Sequence, residues 1–170
     1  MRLERWPKMF RVRQRFAPAP ALDLPAAVRT AVAELSLPAV LRPGSGVALG
    51  VGSRGITNLS AIVHEVVRAL RELRLEPFIV PAMGSHGGAT PAGQRRILAD
   101  DGVTEGALGV SVRDALEVHA LGRTEAGIDV FVSQEALRAD GILLLNRVKP
   151  HTDFSGELGS GLLKMAVVGL

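Results

Sequence analysis

A buried strand, a glycine-rich turn and a long amphipathic helix follow one another without interruption between Val47 and Leu73. Val47-Ala-Leu-Gly-Val has no charged residue, which predicts a short strand buried in a sheet. Leu59, Ile62, Val63, Val66, Val67, Leu70 and Leu73 fall on one face at helical spacing, with arginines and glutamates opposite. A helix with one apolar face needs a layer to cover it, and a buried strand needs neighbours. The pair therefore restricts the chain to strands layered with helices.

The same alternation continues on both sides. Leu24 to Leu35 reads as a helix with Pro25 in its first turn, and Pro77-Phe-Ile-Val-Pro as a second parallel strand. Thr90 suits a helix N-cap with Pro91 at the first helical position, and that helix is expected to run to about Ala99. Strands are expected near Val110–Val112 and Leu116–Leu121, another at Ile128–Val132, a short helix over Gln134–Arg138, and a central strand at Gly141–Leu145. The predicted fold class is α/β, Rossmann-like, a mostly parallel sheet with helices on both faces. Phe10, Val12 and Phe16 alternate with Arg11, Arg13 and Arg15, which predicts an edge strand with an arginine face. Leu162 to Leu170 is apolar and reads as a helix entering more structure. Residues 1–170 are thus expected to form one domain of a larger protein, whose further region covers this end.

Composition narrows the functional classes. The chain has no cysteine, so disulfides and thiolate metal sites are excluded. Its positive excess is one N-terminal run, Arg2 to Arg15, and the remainder is slightly acidic. A nucleic-acid footprint would spread basic residues over a surface, so nucleic acid is not an expected partner. No run reaches the roughly 18 apolar residues of a membrane helix, and no apolar segment follows the basic N-terminus as in a signal peptide. The expected location is the cytoplasm, with no membrane partner.

In open α/β sheets ligands sit beyond the carboxyl ends of the strands, and three glycine-bearing segments occupy that position here. Gly50-x-Gly52-x-x-Gly55 matches the dinucleotide fingerprint, but the next strand ends Val80-Pro-Ala-Met without the acid that would hold a ribose. Ser53, Arg54 and the backbone N–H groups of that turn suit a small carboxylate or phosphate better, because the guanidinium offers a bidentate fork. Gly84-Ser-His86-Gly-Gly follows the second strand, and Lys149-Pro-His151 follows the last. Two histidines reaching one site would form an acid–base pair, for which an unperturbed imidazole pKa of about 6.5 is suited. By contrast, His64 lies off the apolar stripe of its helix and His119 in an alternating segment, so both read as solvent-facing. Lys164, one of three lysines, lies among Leu162, Leu163 and Met165 in a helix expected to be capped near Ser160. From the residues alone three readings stay open: an enzyme site, a dinucleotide-binding oxidoreductase domain, and a noncatalytic carboxylate- or phosphate-binding module.

Three of these segments, in order, resemble the nickel-dependent lactate racemase family, specifically its N-terminal domain. Gly52-Ser-Arg54-Gly-Ile-Thr is similar to the family's Thr-Arg-Pro loop, and Gly84-Ser-His86 to its Gly-Thr-His motif. Lys149-Pro-His151, with Phe154-Ser-Gly and Lys164, is similar to its Pro-His…Phe-Ser-Gly-Gly-x-Lys segment. The resemblance spans about residues 45–170. It implies a racemase or epimerase of a small 2-hydroxy acid, working through a pyridinium-derived nickel pincer nucleotide tethered to a lysine. Hydride would leave the substrate carbon and return to either face of the keto acid. In that scheme Lys164 is the tether, His86 and His151 are the acid/bases, and Arg54, with Ser53, holds the carboxylate. The nickel-binding histidine of the family lies beyond the lysine, so no metal ligand is expected within these residues and the isolated domain is expected to be inactive. Gly87 stands where the lactate enzyme has arginine, which implies a different hydroxy-acid substrate.

Overall fold

The computed structural model describes residues 8–17, 20–52, 55–148 and 160–170. Its centre is a three-stranded parallel sheet. Strand β1, Gly46–Val51, lies between β2, Glu76–Pro81, and β5, Gly141–Leu145. Helices α1 (Leu24–Glu34), α2 (Leu59–Glu72), α3 (Pro91–Asp100) and α4 (Glu105–Leu108) sit in the connections before β3. Strands β3, Val118–Arg123, and β4, Asp129–Ser133, form an antiparallel hairpin, followed by α5, Gln134–Leu137. The α/β class and the mostly parallel sheet are as the sequence predicts.

Local chemistry accounts for the helix starts. The Asp23 carboxylate accepts from Ala26 N at 3.0 Å, and Thr90 Oγ1 accepts from Gly93 N at 3.1 Å. Each supplies one of the helix's orphan N–H groups with a partner, and a proline stands in the first turn of both helices. Helix α2 has no side-chain cap. Its stability comes from the buried stripe of Leu59, Val63, Val66, Val67 and Leu70. Full burial of such a side chain contributes about 1.5–3 kcal/mol. After Leu73 the chain turns at Arg74, whose φ is 60°, and Leu75 N bonds back to Leu70 O at 3.0 Å.

Alternate residues of β1 separate two cores. Val47, Leu49 and Val51 join α2, Ile79 and Leu98 in the larger one. Ala48 faces the other way, with Phe78, Val80 and Ala136 of α5, and Leu170 packs against them. Both faces of the sheet are covered, the second by the shorter elements. On that side the Arg113 guanidinium stacks 3.7 Å above the Phe78 ring. The sheet gains a short extra contact beyond β2, where Ile79 N bonds Ser111 O at 2.9 Å and Arg113 N bonds Ile79 O at 2.8 Å. Arg95 holds that segment to α3, donating to both Asp114 oxygens at 2.8 and 2.9 Å and to Val112 O at 2.8 Å. Hydrogen bonds from Arg95 keep the Asp114 carboxyl below the usual carboxylate range. The Val112 N–H, followed by Arg95, does the same for Glu105.

Three expectations are corrected. Residues 10–16 are not a strand: they are irregular and exposed, Phe10 by 83 % and Phe16 by 78 %. Alternation makes a strand only where a sheet edge accepts the ladder, and none of the described edges pairs with this segment. Gly141–Leu145 is not central either, since β1 takes the middle and β5 pairs only with it among the described residues. The apolar run was a poor guide to position because Ile142 is 43 % exposed on the thinly covered face. The C-terminal segment makes one helical turn, α6 (Leu162–Lys164), and then a π-helical turn, Met165–Gly169. Its N-cap is Gly161 rather than Ser160. A cap at φ 88° is open to glycine and costly for serine. Among the described residues no helix is long and apolar enough to cross a membrane.

Candidate functional site

The parallel register makes the three strands finish level. Val51 lies beside Pro81 on one side and Leu145 on the other. The chain leaving each strand therefore emerges on one edge, the carboxyl edge where α/β sheets place ligands. The turn after β1 starts at Gly52, whose N–H reaches Leu145 O at 3.4 Å. The loop after β2 starts at Ala82, whose N–H donates to Val51 O at 3.0 Å. The segment after β5 starts with Asn146 and Arg147.

His86 lies in the β2 loop, at the head of a 3-10 turn over His86–Ala89, and is half-buried. Its N–H donates to Met83 O at 3.2 Å. The loop is seated on the start of α3 by three contacts. Gln94, buried, donates from Nε2 to Gly84 O at 2.8 Å, and Thr90 Oγ1 donates to Gly87 O at 3.0 Å. The third contact is backbone against backbone: a Cβ on Gly93 would stand 1.9 Å from Gly87 O. Neither peptide can retreat without unwinding the turn that holds His86. Gly93→Ala is therefore expected to destabilise the protein by about 2–3 kcal/mol, the upper range for overpacking a closed contact. Urea denaturation reads this directly, and an unchanged midpoint would show that the loop does not rest on α3.

The C-terminal turns close the site from a third side. A Cβ at Gly52 would come within 3.0 Å of Met165 Cε and 3.3 Å of Asn146 Oδ1. A Cβ at Gly84 would meet Val168 O at 2.7 Å, and one at Gly169 would meet Ala82 O at 2.8 Å. Glycines at these places let the segment carrying Lys164 lie directly on the turns after β1 and β2. Lys164 is half-buried between exposed Leu163 and buried Met165. Asn146 Nδ2 donates to Gly161 O at 3.0 Å, and Arg147 Nη1 donates to Gly55 O.

The structure thus places His86 and Lys164 on the same edge. Ser53, Arg54 and His151 lie outside the described residues, as does the whole of the Lys149-Pro-His to Phe-Ser-Gly stretch. Gly52 and Gly55, which flank Ser53 and Arg54, are on that edge, and Val148 is the last described residue before His151. His64 and His119 are exposed, as expected, on α2 and β3. The β1 turn departs from a dinucleotide loop in one respect. In that fingerprint the last glycine packs within the helix start, whereas here Ile56, Thr57 and Asn58 separate Gly55 from α2. Among the described residues no group of three or more His, Asp or Glu side chains could hold a metal ion. Gln94, Gly93, Asn146 and Arg147 had no role in the sequence reading. Only the polar Asn-Arg pair directly after an apolar strand offered any signal.

Residues 17–159 match the family model described as the lactate racemase N-terminal domain. The chain belongs to that family. No curated protein and no solved structure matches it. The lactate racemase N-terminal domain match takes in the β1 turn, the His86 loop and the stretch after β5 that includes His151, and it ends before Lys164.

Proposed function

We propose that this domain is the N-terminal part of a racemase or epimerase of a small 2-hydroxy acid, using a nickel pincer nucleotide attached at Lys164. The observation that carries the reading is the family match over residues 17–159, whose motif segments leave adjacent parallel strands on one edge. Lys164, beyond the match, fits the tether role on chemical grounds. A primary amine is the group such a link requires, and the glycines at 52 and 84 hold its segment against the other two loops. Bound there, the cofactor would supply the hydride acceptor and donor that the side chains lack. The chain's own residues do the rest. Arg54 grips the carboxylate through its fork, with Ser53 beside it, which fixes the carbon being inverted. One of His86 and His151 accepts the hydroxyl proton as the C–H bond breaks, leaving a planar 2-keto acid. The other returns a proton when hydride is delivered to the opposite face. Gly87, beside His86, has φ 67°, and a Cβ there would stand 2.4 Å from Gly93 C, so the loop as folded does not admit the arginine of the lactate enzyme, which supports a hydroxy acid other than lactate.

The test uses the full-length gene product, made in a host supplying nickel and the cofactor pathway. It is offered single enantiomers of 2-hydroxy acids deuterated at the carbinol carbon. The expected result is loss of optical purity with the deuterium retained, because hydride returned by a cofactor does not exchange with water. Racemisation with washout of the label would exclude hydride return, and the absence of racemisation across the series would remove the racemase reading.

A further inference from the structure

We propose that Asn146 and Arg147 act as a positioning clamp, one setting the turn that bears Lys164 and the other setting the turn that bears Arg54. The proposal rests on the functional reading above for what those turns do. The two residues are consecutive, directly after Leu145, yet their side chains go to different places. Asn146 Nδ2 donates to Gly161 O at 3.0 Å, and Met165 N donates to the same carbonyl at 3.1 Å. That carbonyl belongs to the N-cap of α6, so Asn146 holds the peptide from which the Lys164 turn starts. Its amide orientation is fixed from the other end, because Asn146 Oδ1 accepts from Arg147 N at 2.8 Å. Reversing the amide would set oxygen against the Gly161 oxygen and nitrogen against an N–H. Arg147 Nη1 donates to Gly55 O, the carbonyl of the residue following Arg54.

Asn146 and Arg147 are themselves exposed, and the Asn146–Gly161 bond is part-buried, but the peptides they hold are unusual. Gly161 has φ 88° and Gly55 has φ 69°, so both accepting peptides sit in conformations open mainly to glycine. Such peptides hold their place only while something fixes them. The partners are far apart in sequence, 15 residues for Asn146 with Gly161 and 92 for Arg147 with Gly55. A Cβ at Gly52 would press on Asn146 Oδ1, so the clamp also abuts the β1 turn. A rigid strand end thereby ties together two segments whose relative placement decides whether tether and carboxylate grip meet one substrate. Partners of this kind, one layer behind the reacting groups, change activity by about 10- to 100-fold when removed.

The test compares Asn146→Asp, Arg147→Ala and Arg147→Lys in the full-length protein. Asn146→Asp keeps the acceptor for Arg147 N and loses only the donor to Gly161. It is expected to speed amide hydrogen exchange in residues 161–166 about tenfold, the worth of one hydrogen bond. It should also lower the fraction of Lys164 carrying the cofactor by about tenfold or more, with KM of the loaded fraction unchanged. Arg147→Ala is expected to speed exchange in residues 55–58 instead, and to raise KM for the hydroxy acid about 10- to 100-fold with loading unchanged. Arg147→Lys, which still reaches one carbonyl, should restore KM. Unchanged exchange in both segments would overturn the clamp. Exchange that changes while loading and KM stay at wild-type values would overturn its functional role, and so would equal effects of both variants on loading and KM. If the unaltered protein neither loads nor racemises, the functional reading is what fails, and the exchange pattern alone decides for or against the clamp.

Discussion

Lys164→Arg in the full-length protein should abolish both the heavy adduct on this residue and racemisation. The fall should be to the uncatalysed rate, a loss of about a millionfold or more on the usual scale of enzymatic acceleration. No side chain in the set can stand in for a hydride acceptor, so losing the cofactor loses the reaction rather than part of it. Arginine is the informative replacement. It keeps the positive charge and the long apolar stem on the turn between Leu163 and buried Met165, but a guanidinium does not form the amide-type link that an amine forms. The fold should be indifferent. Arginine preserves the charge at this place, and Met165, Val168 and Gly169 also seat the segment, against Gly52, Gly84 and Ala82. An unchanged melting temperature together with an unmodified peptide spanning residues 160–170 is the expected pair of results. An adduct that persists on another residue, or racemisation that survives the change, would show that the tether lies elsewhere and would reopen the anion-binding reading.

What the sequence made legible and what it hid differ by range. Helix α2 and the Thr90–Pro91 start of α3 could be read directly, because a stripe of apolar residues and an N-cap act within a turn or two of their own position. The β1 and β2 strands were readable for the same reason, each being a short apolar run between breakers. The N-terminal alternation of Phe10, Val12 and Phe16 satisfied the local rule and still made no strand, since a ladder needs a partner that local pattern does not contain. The edge place of β5 among the described residues was hidden because an apolar run does not say how many neighbours a strand has, nor how well its faces are covered: no residue of β5 is fully buried. The candidate site divides in the same way. His86, His151, Arg54 and Lys164 stand out because reactive residue types sit among glycines after strands. Gln94 and Gly93 do not, because their effect on His86 depends on Gly84 and Gly87 lying across a loop from α3. The Asn146 and Arg147 contacts require knowing which carbonyls come to the same edge.

His86→Ala and His151→Ala should each lower kcat/KM by about 10²- to 10⁴-fold, the range for removing a positioned general acid or base. The His86 turn is seated on α3 by Gln94, Thr90 and the backbone contact of Gly87 with Gly93. Circular dichroism and melting temperature distinguish a chemical loss from a collapse of that loop: a fall in turnover with both close to those of the unaltered protein is the expected result. A further consequence follows from the reaction itself. Two enantiomers have equal free energies, so kcat/KM must fall by the same factor in both directions, whichever face a histidine serves. Steady-state rates alone cannot assign the faces. A single turnover can, because only the first half of the reaction is then sampled. With loaded enzyme in excess, each variant should form keto acid slowly from one enantiomer and at nearly the normal rate from the other, and the affected enantiomer should be opposite for the two variants. Equal slowing of both enantiomers in both variants would mean that the histidines act together on one proton. Normal rates in either variant would remove that histidine from proton transfer.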